Sequence, residues 1–144
     1  MFGNPANIQE FNTIAGLIFA QLYQNFPILV DVDKAAVAKA MGVEGDWGKY
    51  KLSSGRTFND MLAHTLSWLT AEEYTRPAGG HPAERVTLTT KGLAAMNAMP
   101  SGLRQPLGSE LAKAAEQGSP AGLDRIGDLI GGLLGGFTKS MGSG

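Results

Sequence analysis

The sequence predicts a mainly helical protein with one small β-hairpin, and three observations lead to this fold class. Apolar residues recur at helical spacing between residues 11 and 26 and again between residues 58 and 69. A Pro- and Gly-rich turn at residues 77–82 separates two short strand-like stretches, residues 74–76 and 85–89. The 144 residues include 43% hydrophobic and 17% charged residues, a composition that can bury one core.

The first predicted helix covers residues 4–26 and is central to the fold. Phe11, Ala15, Ile18 and Leu22 fall on one face of it, and Pro27 ends it. Residues 28–30 are apolar and partly β-branched, which indicates a brief strand.

Three more helices complete the first hundred residues. The second covers residues 34–41 and is capped by Asp31 or Asp33, with Gly42 at its end. A loop over residues 43–55 leads to the third helix, which is capped by Ser53 or Ser54 and extends to residue 69. The fourth helix, residues 91–99, follows a cap at Thr89 or Thr90. The predicted core comprises Phe11, Ile14, Ile18, Leu22, Val37, Met41, Phe58, Leu62, Leu66, Leu69, Val86, Leu88 and Leu93.

Composition divides the chain into three predicted parts. Residues 1–100 form the main domain, and Pro, Gly and Ser from residue 100 onward indicate a linker. Residues 101–118 contain this linker and a short helix over residues 110–117. Residues 119–144 form a glycine-rich amphipathic tail with a helix over residues 121–137.

Two sequence stretches carry a family resemblance. Trp-Leu-Thr-Ala-Glu-Glu-Tyr-Thr-Arg at residues 68–76 is similar to the junction between a third helix and a first wing strand. Val-Thr-Leu-Thr-Thr-Lys-Gly-Leu at residues 86–93 is similar to a second wing strand continuing into a last helix. Together with the element order, residues 7–100 resemble the winged helix-turn-helix domain of small bacterial regulators. The tail resembles no family.

The resemblance implies a DNA-binding transcriptional regulator that acts as a dimer. In such domains the third helix enters the major groove and the wing touches the backbone. Arginine pairs with guanine and asparagine with adenine, so Arg56 and Asn59 are the candidate base readers. The candidate phosphate contacts are Lys49, Lys51, Arg76 and Arg85.

The charge balance opposes this interpretation. The chain has 12 Lys and Arg against 13 Asp and Glu, a net charge of −1. Phosphate neutralisation dominates DNA affinity, and a dimer would partly offset the shortage of cations. The alternative is that Lys49, Lys51 and Arg56 only keep a loop solvated.

No catalytic or cofactor motif emerges from the sequence, which therefore predicts a protein that is not an enzyme. There is no Cys, and His64 and His81 are the only imidazoles, too few for a zinc site. His64 and Asp60 can pair on one helix face, but no nucleophile elbow supplies a third group. No nucleotide, haem, flavin or metal motif is present.

The tail carries a predicted partner or oligomer interface. Its apolar residues repeat at spacings of three and four, as in a heptad seam: Leu123, Ile126, Ile130, Leu133 and Phe137. Glycines at every fourth position would allow close helix approach. The covering surface can be the chain's own domain, a second copy, another protein or a membrane surface.

The second functional hypothesis is therefore a protein-interaction module that uses this tail. Exposed aromatic residues at Trp47 and Tyr50 and the near-neutral charge favour it. No targeting segment or membrane span is evident, so a cytoplasmic location is expected.

Overall fold

The computed structural model describes residues 5–79 and 85–143, with side chains described up to residue 135 in the last helix. This part of the chain is mainly helical with one small antiparallel sheet, which confirms that fold class. The elements, in order, are α1 (Ala6–Asn25), α2 (Lys34–Ala40), α3 (Phe58–Ala71), β1 (Thr75–Pro77), β2 (Val86–Leu88), α4 (Thr90–Asn97), α5 (Leu107–Gln117) and α6 (Pro120–Ser143).

Side-chain caps lie at the starts of four helices, including α6, where the Ser119 hydroxyl accepts a hydrogen bond from the Gly122 amide at 3.2 Å. The Asp33 carboxylate accepts a hydrogen bond from the Ala36 amide at 3.0 Å, and the Thr89 hydroxyl accepts one from Gly92 at 3.0 Å. Both residues were among the predicted caps. The predicted cap of α3 at Ser53 or Ser54 is wrong, because the Thr57 hydroxyl accepts from the Asp60 amide at 3.1 Å.

One residue of the predicted strand at 28–30 pairs with the antiparallel sheet. In the hairpin, Thr75 pairs with Leu88 and Pro77 with Val86. On the other edge of β2, Val30 and Val86 exchange two backbone hydrogen bonds of 3.0 and 2.8 Å. The chain between α1 and α2 is thereby fixed to the first residue of β2. The hairpin turn, including His81, lies outside the described residues.

The core forms around α1, as its apolar stripe predicts. Every residue predicted for the core is buried except Phe11, Met41 and Leu93, which are half-buried and pack against it. Among the described helices, none combines the length and hydropathy needed to cross a bilayer.

The core continues into α5 and α6. Leu107, Leu111, Ile126 and Ile130 are at most 1% exposed and belong to the same cluster as the α1 residues. The predicted domain boundary at residue 100 stays a prediction, but the apolar packing extends across it.

Close approach of α6 to α1 occurs at Gly16. A β-carbon at Gly16 would overlap Ile126 and lie 3.1 Å from the Ile130 side chain. The tail glycines Gly127 and Gly131 do not show the predicted close approach, and Gly136 lies outside the residues whose side chains are described. A β-carbon at Gly127 or Gly131 would meet its nearest atom at 3.8 or 3.6 Å, which is ordinary contact. Because Gly16 has no side chain, Ile126 and Ile130 of α6 can pack against the α1 backbone.

Aromatic rings join α1, α3 and the hairpin. Tyr74 stacks on Trp68 at a centroid distance of 6.2 Å and meets Phe19 edge-on at 5.7 Å. Tyr74 is only 6% exposed. Burial raises the pKa of its phenol above the usual 10.0, and the carboxylate of Glu72 raises this pKa further.

This raised pKa predicts a loss of stability in alkaline solution. The unfolded chain releases the Tyr74 proton above about pH 10, whereas the folded chain retains it, so the free energy of unfolding should fall as the pH rises. Urea unfolding at about pH 9 and about pH 11 measures this dependence. Tyr74→Phe should show a smaller decline than the unmodified chain, and an equal decline would contradict the prediction.

Candidate nucleic-acid interface

The loop before α3 is bonded to the first turn of that helix. The Phe58 amide donates to the Tyr50 carbonyl at 2.9 Å, and the Asn59 amide donates to the Trp47 carbonyl at 3.1 Å. A backbone bridge between Lys51 and Thr57 closes the loop on itself. Amides at a helix start lack partners within the helix, so these bonds fix the loop to α3.

The two aromatic residues of this loop face the core. Trp47 meets the Phe58 ring edge-on at a centroid distance of 5.7 Å, and both Trp47 and Tyr50 are half-buried. The expectation that they are exposed for partner binding is therefore wrong. Their rings hold the loop in place, since burying them against Phe58 removes apolar surface from water.

Glu10 of α1 is hydrogen-bonded to the same loop. Its carboxylate accepts a hydrogen bond from the Ser54 amide at 2.9 Å and one from the Ser54 hydroxyl at 2.6 Å. Glu10 is 9% exposed. This contact is not among those predicted from the sequence. The available signal was an acidic residue four positions before Ile14 and eight before Ile18, on a face that is otherwise buried.

The loop and the start of α3 present four of the six predicted DNA-contacting side chains. Lys49, Lys51, Arg56 and Asn59 are all exposed. Arg56 precedes the helix, contrary to its predicted place within the first turn, because α3 starts after Thr57. These side chains thus come from one hydrogen-bonded loop–helix junction, residues 46–60.

The other two predicted residues, Arg76 and Arg85, lie on the hairpin. Arg76 pairs with Thr87 in the strand register, and the Ala78 amide donates to the Arg85 carbonyl at 2.8 Å. Both arginines are exposed and lie next to the undescribed turn. Among the described residues, no hydrogen bond or ion pair joins them to the loop–helix junction.

An acidic residue partly neutralises the junction. One Asp60 oxygen lies 3.7 Å from the Arg56 guanidinium, and the other lies 3.8 Å from Nδ1 of His64. The predicted pairing of His64 with Asp60 is thus present. Exposed pairs of this kind contribute at most about 1 kcal/mol, so Arg56 can leave Asp60 for a stronger partner.

The predicted partner interface on the tail is largely covered by α1. Ile126 and Ile130 are fully buried, and Leu123 and Leu133 are half-buried. The Phe137 side chain lies outside the described residues. A partner could reach the two isoleucines only if α6 left α1, so the chain's own domain covers this seam.

Comparisons with known proteins neither support nor oppose this interpretation. The chain matches no protein-family model, and neither curated proteins nor solved structures give a match. The functional assignment therefore depends on the side chains of the junction and the hairpin.

Proposed function

We propose that this chain is a winged-helix module that binds double-stranded DNA and regulates transcription in the cytoplasm. The element order supports this fold: α1, the bridge at Val30, α2, α3, a hairpin and α4. In winged helices the corresponding third helix enters the major groove and the hairpin contacts the backbone. No catalytic role enters the proposal.

One observation carries the proposal, namely the rigid presentation of four polar side chains at the start of α3. Backbone hydrogen bonds to Tyr50 and Trp47 fix the junction before any DNA is bound. Pre-ordering lowers the conformational entropy cost of binding. Arg56 would pair with guanine and Asn59 with adenine, whereas the two lysines would neutralise phosphates.

The shortage of cations makes a second copy part of the proposal. A single chain offers few phosphate contacts, and two copies bound to adjacent half-sites would double them. The buried isoleucines of α6 are not available to a second copy, so the dimer contact is expected on another surface.

The experimental test is selection of duplexes from a random library, followed by anisotropy titration of the selected site. Arg56→Ala should weaken binding about 5- to 150-fold if Arg56 reads guanine. Lys49→Ala should reduce the salt slope by about 1. Lys113→Ala removes an exposed lysine of α5 and is the matched control, with little expected change.

A variant that removes a negative charge from the junction should change DNA affinity in the opposite direction. Asp60→Asn frees the Arg56 guanidinium from its carboxylate and removes a negative charge from the junction. DNA affinity should therefore rise, while the Thr57 cap of α3 stays in place. Failure of the library to yield any retained duplex at low salt would refute the proposed function.

A further inference from the structure

One cleft of the described residues lies away from the junction, between α1 and α6. It has a volume of about 630 Å³. The first half of α1 forms one wall and the second and third turns of α6 form the other, with Met41 and Ser53 at the side. This volume lies within the range of small-molecule sites, about 300–1,000 Å³, and far exceeds that of a metal ion.

The cleft is acidic and has no compensating cation. Glu10, Asp124 and Asp128 contribute to its lining, and no Lys, Arg or His does. Asp124 and Asp128 are one turn apart on α6, where like charges repel. Neither has an ion-pair partner among the described residues. The nearest basic residue on α6, Arg125, is bound instead to Glu110 of α5 at 3.2 Å.

A buried amide without a partner also lines this cleft. Asn12 is 4% exposed, lines the cleft, and its side chain makes no hydrogen bond to another side chain or backbone group of the described residues. Its amide nitrogen would lie 3.6 Å from a β-carbon placed on Gly131 of α6. An amide that lines a cleft and is not bonded by the protein can exchange hydrogen bonds with a ligand there.

We propose that this cleft binds a small aliphatic amine. Ammonium groups would pair with Asp124 and Asp128 and donate a hydrogen bond to the side-chain oxygen of Asn12. The alkyl chain would lie against Met41 and Leu123, which line the same cleft. A metal ion is a poorer fit, because the described residues contain no group of three His, Asp or Glu placed to hold one. This inference does not depend on DNA binding.

The experiment is isothermal titration calorimetry of the full chain with spermidine at low ionic strength. Asp128→Asn should weaken binding about tenfold, and the Asp124→Asn/Asp128→Asn double variant should abolish it. Asn12→Ala should weaken binding without lowering thermal stability, because it deletes an amide that has no partner. Asp31→Asn removes an equal charge from an exposed residue outside the cleft and should bind spermidine normally.

Four results would overturn the proposal. The first is equal affinity in the double variant and the unmodified chain, and the second is an equal loss in Asp31→Asn, which would indicate unspecific attraction. The third is equal binding of heptane-1,7-diol, an uncharged molecule of similar length. Binding of oligolysine without binding of spermidine would assign the cleft to a basic protein segment and would also overturn it. None of these measurements uses DNA, so their outcome is separate from that of the duplex selection.

Discussion

Ile126→Ala is expected to lower the free energy of unfolding of the whole chain by about 2–5 kcal/mol. Ile126 is fully buried and packs directly over Gly16 in the centre of α1. Truncation removes apolar contacts and leaves a cavity between two helices that share one core. Domains of this size are stable by only about 5–15 kcal/mol, so the loss is a large fraction of the total.

Tryptophan fluorescence during urea unfolding measures this loss of stability in the part of the chain that precedes α6. Both tryptophans of the chain, Trp47 and Trp68, precede residue 100. If α6 is part of one cooperative core, the tryptophan transition shifts to lower urea in Ile126→Ala. Ile28→Ala is the matched control, because Ile28 is 63% exposed and its truncation should cost little. An unchanged tryptophan transition would show that α6 unfolds separately.

Gly16→Val is expected to destabilise the chain by about 1–3 kcal/mol through the opposite defect, overpacking. Even a β-carbon at this position overlaps Ile126, and the Leu111 side chain follows at 3.4 Å. The substitution must push α6 or α5 away from α1. Gly132→Val is the control in α6, where a β-carbon would have no neighbour within 4 Å. Its stability should change little, because valine and glycine differ only modestly in helix propensity.

The two sites should also be coupled. Ile126→Ala removes the methyl group that a β-carbon at Gly16 would meet. The double variant Gly16→Ala/Ile126→Ala should therefore be more stable than the sum of its single changes implies, by about 0.5–3 kcal/mol. Strict additivity would contradict direct packing of Ile126 over Gly16.

The elements that local chemistry controls could be predicted from the sequence. Helical periodicity identified the buried faces of α1 and α3, and the caps Asp33 and Thr89 follow from side chains that bond amides three residues on. The start of α3 could not be placed in this way, because Ser53, Ser54 and Thr57 are all able to cap a helix. Ser54 is bound by Glu10, 44 residues earlier in the chain, and this leaves Thr57 as the cap.

The sequence could not predict which surfaces pack against each other in the folded chain. The heptad seam of α6 indicated that Ile126 and Ile130 would be covered, but several surfaces were able to cover them. The outcome depends on Gly16, which in the sequence is one small residue within an apolar helix. At the candidate site, the exposure of Arg56 and Asn59 follows from their expected place at the start of the third helix, although Arg56 lies just before α3. Lys49 and Lys51 belong to the same junction because backbone hydrogen bonds join their loop to the start of α3.

The packing of α6 on α1 has a consequence for biosynthesis. The ribosome makes α1 before α6, at about 5–20 residues per second, so the helix that covers the glycine of α1 follows with a delay. Until then the nascent chain carries an uncovered apolar surface that chaperones or proteases can recognise. A ribosome that stalls before α6 therefore leaves a product suited to degradation.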